Sequence, residues 1–424
     1  MEREEVVATI IGLLVAVCMG LLALGPVVYV YKNGFAAIRP ARVDGASQSQ
    51  QNAADQEERS SEREEQIEKA GLRQRYRVVP YFEDSYTTLY RDRDFATVEQ
   101  RLEAQFAKSA DPYQGHLYSR YVATTSSLGR GYDPEHMLAV LDDWVAAVPN
   151  SYRARMIRGM FHIRMGQYYR GDGYAITVSA GSWSRMRKEM ALARADLDAA
   201  LKMFDRDPEV FGSLGTISRY MDEGQAQAEQ YYAKAIAVQP LSLSARIGRM
   251  TGALPKWGGS WEAVDAVLAE CEALSPQFPL IMIVKREAER QMGDRSPAHE
   301  RALSTSEKKR EWAEPYIGQL ERNPGDPLLM TNAAFFLTES GSFAEAEPLF
   351  RALGDTYHEG TNFEDLLQYN NMRDYVYAAL ASTYPQGEEI HRRAAAVRFA
   401  KQAVDADTMP GAQDAAQSII GRNT

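Results

Sequence analysis

MTNAAFFLTESGSFAEAEPLFRAL, running from Met330 to Leu353, is the stretch whose reading decides the fold. Met330, Ala333, Ala334 and Leu337 sit at i, i+3, i+4 and i+7, the offsets that gather on one side of an α-helix. Gly341 and Phe343 mark a turn, after which Ala346, Phe350 and Leu353 draw a second apolar stripe at i, i+4 and i+7. Two amphipathic helices joined by a short turn cannot cover their own stripes. The hairpin therefore has to stack on others like it.

The second stripe recurs along the chain. Ala228, Tyr232, Ala235 and Pro240 repeat it, and Val264, Leu268, Cys271 and Pro276 follow about 36 residues later. Ala193, Leu197 and Ala200 precede it, Met137, Leu141, Trp144 and Pro149 lie further upstream, and Val98 with Leu102 fits more loosely. Downstream, Trp312 with Tyr316 and then Ala396, Ala400 and Ala403 extend the series. First helices fall between them at Ile157 and Gly159, Leu214 and Gly215, and Ile247 and Gly248, each with a glycine that lets a neighbouring helix approach closely. This register is the tetratricopeptide (TPR) frame. It predicts an all-α, TPR-like α-solenoid of about six to eight helical hairpins over residues 76–424. AQDAAQSIIGR near the C-terminus reads as the cap of the stack.

Interruptions of the lattice are where binding residues are sought, because insertions in a repeat array emerge together on one face. The largest adds about 21 residues between Met137 and Ala193 and contains RGDGYAITVSAGSWSRM, giving an ordered insertion at about 170–188. Glycines at 171, 173 and 181 bracket a β-favouring run from Tyr174 to Val178, which suggests a short strand pair. Arg170, Asp172, Tyr174, Thr177, Ser179 and Trp183 are its candidate binding residues. The competing reading is a loop that covers apolar surface between hairpins, with Tyr174 and Trp183 as packing. A second interruption, LPKWGGSWEA, places Trp257 and Trp261 around two glycines, either as a small cradle or as a capped turn. The third, GDRSPAHERALSTSE, reads as a polar surface loop.

RDF at Arg93 to Phe95, GYAITVS at Gly173 to Ser179 followed by GSW at Gly181 to Trp183, and KWGGSWE at Lys256 to Glu262 together resemble a bacterial family of TPR-like proteins known only as a domain of unknown function. The resemblance spans Tyr76 to Trp261. It implies a helical-repeat fold with shared loops and carries no activity with it.

Ahead of the repeats, residues 1–5 form a short tail, and Val6 to Tyr31 contain no charged residue. At about 1.5 Å per residue such a helix exceeds the roughly 30 Å hydrocarbon core of a bilayer, which predicts a single transmembrane helix over 6–31. Tyr29, Tyr31 and Lys32 suit the interface. Residues 32–75 read as a polar linker in which Ser61 and Glu64 form a capping box at the start of a short, charged, solvated helix. The implied location is a bacterial cytoplasmic membrane, single-pass. Lys32, Arg39 and Arg42 favour a cytoplasmic domain, whereas the short N-terminal tail also suits an exported one.

Chemistry leaves little trace. The net charge of -10 argues against nucleic acid as a partner. The histidines at 116, 136, 162, 299, 358 and 391 show no metal-ligand spacing, and no phosphate-binding or nucleophile-elbow motif occurs, so neither cofactor nor metal is expected. The expected function is a membrane-anchored scaffold that binds a protein or peptide without catalysis. An enzyme of unrecognised chemistry using the 170–183 and 256–261 loops, or a structural envelope component, are the alternatives.

Overall fold

The computed structural model describes residues 61–79, 87–128, 133–171, 175–221, 223–293 and 297–380. The apolar segment 6–31, the polar linker up to residue 60, Asp172, Gly173, Tyr174, the last repeat and the C-terminal cap lie outside the described residues. Among the described residues no helix is long and apolar enough to cross a membrane.

The protein is mostly helical. A first helix, α1, covers 61–69 and is followed by α2 (Leu72–Arg75) and a short strand, β1 (Arg77–Val79). Next come α3 (Phe95–Lys108), α4 (Pro112–Thr125), α5 (Pro134–Ala147), α6 (Tyr152–Arg170), α7 (Ala180–Met203) and α8 (Pro208–Tyr220). Then follow α9 (Gln225–Val238), α10 (Leu243–Ala253), α11 (Trp261–Leu274) and α12 (Ile283–Gly293). The series ends with α13 (Pro297–Leu303), α14 (Ser306–Leu320), α15 (Pro327–Glu339), α16 (Phe343–Leu353), β2 (Thr356–His358) and α17 (Leu366–Ala379). The helices start where the sequence supplies an acceptor. Asp94, Asp111, Asp133, Ser151, Ser179, Asp207, Ser242, Ser260, Thr305 and Asp326 all take a backbone N–H from the first turn of the helix that follows.

These elements form two compact units, one of residues 87–291 and one that joins 61–79 to 292–380. In the first, each helix from α5 to α11 packs on the next across a short turn. Exceptions are local: α8 also reaches α6 and α10, and the 175–179 segment lengthens the connection of α6 to α7. Most of the apolar stripes read from the sequence are buried, although Met330 and Leu268 are only half-buried and Val267 takes the buried place beside Val264 and Cys271 on α11. Met137, Leu141 and Trp144 on α5, Ala193, Leu197 and Ala200 on α7, and Ala228, Tyr232 and Ala235 on α9 are all shielded from solvent.

The glycines of the first helices are steric necessities. Cβ atoms at Gly215 and Gly248 would lie 2.8 Å and 2.6 Å from Cε1 of Tyr232, whose ring is wedged between α8 and α10. Gly159 does the same for α6 on α7, where a Cβ would stand 3.0 Å from Leu197 Cγ. Glycine in a helix interior costs about 1 kcal/mol relative to alanine, so its use here marks helix approach that outweighs propensity.

The second unit holds the Met330 to Leu353 hairpin. Ala333, Ala334 and Leu337 of α15 and Ala346, Phe350 and Leu353 of α16 are buried, and α14, α15, α16 and α17 pack in sequence. The remainder departs from the all-helical expectation at β1 and β2, which form a two-stranded parallel sheet with Val78 opposite Tyr357. Helix α1 is likewise not merely solvated. Ile67 is buried, and Arg63 clamps the helix to Asp365 through bonds of 2.5 Å and 3.0 Å. Residues 61–75, read from the sequence as the end of the polar linker, are therefore packed into the second unit at Ile67 and Arg63. The GDRSPAHERALSTSE segment is also not a plain loop, since α13 lies within it; Pro297 opens that helix at a position where its missing N–H is harmless.

Candidate functional site

The sequence-predicted residues occupy two separate turns. The first joins α6 to α7. Ala175 to Thr177 form a 3-10 turn, not the expected strand, and Thr177 is exposed. Among the described residues no second strand lies beside it, and Ser179 already caps α7 by accepting from Ser182 N at 3.1 Å, so the chain turns back to helix at once. Trp183 follows in the first turn of α7. The Arg170 guanidinium at the end of α6 lies 5.4 Å from its ring centroid, and that of Arg187, one helical turn on, lies 5.9 Å away. Beside them, Arg185 covers Tyr169 at 5.7 Å. Arg185, Arg187 and Lys188 are exposed, and among the described residues none of them has a carboxylate partner. No acidic residue stands in the first turn of α7. The described residues at this turn thus form a basic and aromatic patch on a chain whose net charge is -10.

The second turn joins α10 to α11 and is built from the inside. Gly258 adopts φ +87, and a Cβ at Gly259 would fall 2.0 Å from the Ala253 carbonyl oxygen. Trp257 stands edge-on to Tyr220 at 5.0 Å with the Arg219 guanidinium 5.0 Å from its ring. Ser260 caps α11 through Ala263 N, and Trp261 is the first residue of that helix. This is a capped turn whose indole packs on the end of α8.

The RDF motif is structural as well. Arg93 turns the chain at φ 55 and binds Asp143 at 2.5 Å, Asp94 caps α3, and Phe95 stacks on Trp144.

Sequence reasoning missed a third place, at α4. Helix α4 packs against α3, α6 and α10, while α5 packs on α6. One stripe of α4, at i, i+3 and i+4, meets polar groups at the end of α9 and at the starts of α8 and α10. At Gly115 a Cβ would overlap Gln239 Nε2 at 1.8 Å, and that amide donates to the Ser109 carbonyl at 2.8 Å. Tyr118 OH donates to Asp207 Oδ2 at 2.5 Å, where Tyr152 OH also donates at 3.3 Å. Ser119 Oγ donates to Glu209 Oε1 at 2.5 Å, and Ser244 Oγ donates to the same oxygen at 2.8 Å. Asp207 and Glu209 are buried, and among the described residues no cation lies within ion-pairing distance of either. Burial pushes the Asp207 carboxyl up to about 6 despite the tyrosine hydroxyls, with Glu209 adding to the push. Burial raises Glu209 too, partly offset by Ser119, Ser244 and the more distant Arg164. On α4 itself, burial beside Arg120 holds the His116 imidazole down to about 3. In the sequence Asp207 reads as an ordinary cap ahead of Pro208. Nothing local announces a bond to a tyrosine 89 residues away.

No family model matches the chain, and no curated protein is significantly similar to it.

Proposed function

We propose that the protein is a membrane-anchored, TPR-like helical-repeat scaffold that binds a protein or peptide partner at the turn between α6 and α7. The observation that carries this reading is Trp183 flanked by the Arg170 and Arg187 guanidiniums, with exposed Arg185 and Lys188 alongside. Tryptophan and arginine are the residue types that dominate binding energy at protein interfaces, and arginine binds carboxylates in a two-pronged fashion. Arg185, Arg187 and Lys188, which have no carboxylate partner among the described residues, favour an acidic segment in the partner.

The rest of the reading assigns the apolar segment 6–31 to a single membrane span and the polar residues after it to a tether that ends at α1. The Arg63–Asp365 clamp then fixes the tether to the unit that contains the Met330 to Leu353 hairpin. The loops quoted for the resemblance to the TPR-like family of unknown function belong to the same reading as shared turns of the array.

A photo-crosslinking residue at exposed Ser184 in the membrane-embedded protein tests the site. The expected result is one discrete adduct with an acidic protein, lost when Arg185 and Arg187 are both replaced by Glu. No adduct, or one that survives the charge reversal, would remove the patch as the binding surface.

A further inference from the structure

A hydroxyl group stands at the centre of the cations of α7. On a helix turning about 100° per residue, Trp183, Arg187, Ser184, Lys188 and Arg185 follow one another around one side, opposite the buried Met186 and Met190. Ser184 is exposed, and among the described residues its hydroxyl makes no hydrogen bond. The other two serines of this turn are engaged in the cap. Ser179 Oγ accepts from Ser182 N and donates to Ser182 Oγ, each at 3.1 Å.

Arg187 and Lys188 stand three and four residues after Ser184, the two spacings at which side chains meet on a helix surface. An anionic group placed N-terminal to its cationic neighbours is the favourable order. Neither side chain has a carboxylate partner among the described residues, and Arg185 has none either. Three like charges this close repel one another, and an anion in their midst relieves the repulsion. A phosphoryl group on Ser184 would bring about -1.5 to -2 charges and three acceptor oxygens to that place. The three cations are open to an acidic partner while Ser184 is a plain hydroxyl. After modification only about one positive charge is left uncompensated.

We infer that Ser184 is a phosphorylation site and that its phosphoryl group, held by Arg187 and Lys188, closes the patch to the acidic partner. The inference rests on the reading of this turn as the partner's binding surface. The modifying step is a phosphoryl transfer from a nucleoside triphosphate bound to a separate protein kinase. Ser184 Oγ attacks the terminal phosphorus, the bond from that phosphorus to the bridging oxygen breaks, and a nucleoside diphosphate leaves. The hydroxyl proton passes to a base of the kinase. Nothing is oxidised or reduced.

The experiment uses the full chain in detergent, native or with phosphoserine installed genetically at position 184. In phosphorus NMR the second ionisation of the phosphate, ordinarily at about pH 6, should move down by about half a pH unit and return when Arg187→Gln and Lys188→Gln are combined. A fluorescein-labelled hexaglutamate peptide, followed by anisotropy, should bind the native chain and bind the phosphoserine chain about tenfold more weakly. Mass spectrometry of the chain purified from growing and from stationary cells that produce it should find a phosphoryl group on Ser184. No phosphoryl group there in either state overturns the inference, as does an ionisation that the two cations leave unmoved. Hexaglutamate binding that is equal on the native and phosphoserine chains refutes the switch alone. A native chain that fails to bind hexaglutamate refutes the peptide-site reading, and the switch with it.

Discussion

Helix α8 has two faces that meet their neighbours by opposite means. Toward its C-terminal half, Gly215 receives the ring of Tyr232, which Gly248 of α10 receives from the other side. At its start, Asp207 and Glu209 hold α4 through hydroxyl groups with no counter-charge in contact. The first contact is apolar and steric, so it is insensitive to pH and intolerant of volume. The second is polar, and its strength depends on protonation. Regular stacking in this protein comes from the first kind of contact, and the departure of α4 from that stacking comes from the second.

The steric contact breaks with the largest effect. Tyr232→Ala removes the ring that fills the gap between two helices, and large-to-small changes at such sites cost about 3–5 kcal/mol. Four of the five tryptophans belong to the 87–291 unit, so a thermal melt followed by tryptophan fluorescence reports its loss. Gly248→Val is the complementary change. Its Cβ would stand 2.6 Å from the Tyr232 ring, an overpacking worth about 1–3 kcal/mol in the same melt. Combining Gly248→Val with Tyr232→Leu should cost less than the sum of the two single changes. Strict additivity would mean that the ring and the glycine do not meet.

These contacts separate what the sequence could and could not convey. The stripe through Ala228, Tyr232 and Ala235 and the glycines at 215 and 248 were legible because both lie within a fixed helical period. The positions of Arg170, Ser179 and Trp183 at one turn were legible for the same reason, since they flank the end of one helix and the start of the next. The 3-10 turn at Ala175 to Thr177 was not. Its residues favour extended structure locally, and only the missing partner strand decides against it. The α4 seat was invisible because its bonds join residues 89 and 90 positions apart, and the parallel pairing of β1 with β2 joins the two ends of one unit across the whole of the other. Long-range polar pairing leaves no period to read.

The surroundings of α4 are probed by pH, where His116 on that helix and Asp207 beside it act in opposite directions. His116 is held down to about 3 from an ordinary 6.5, so the unfolded chain binds its proton first and stability is lost as pH falls below 6.5. Between pH 8 and 5 this amounts to about 2 kcal/mol. His116→Gln should flatten that acid limb in urea melts recorded at pH 5, 6.5 and 8. An acid limb of unchanged slope would assign the loss to other groups.

Asp207 runs the other way with the smaller effect. Its folded value of about 6 lies above the ordinary 3.8, so the folded state binds the proton more tightly and the stability this gives is lost as pH rises through 6. The contribution between pH 5 and 8 is about 1.4 kcal/mol. Asp207→Asn keeps an acceptor for the N–H of Glu209 and for the tyrosine hydroxyls while removing the charge, and asparagine caps helices as well as aspartate does. The variant should therefore gain stability at pH 8 relative to the native chain and lose that advantage at pH 5. In the His116→Gln background, where the opposing limb is gone, the gain at pH 8 should stand out alone. Equal melts for His116→Gln with and without Asp207→Asn at pH 8 would show that the α4 contact carries no buried charge, and the contrast between the two faces of α8 would then reduce to shape.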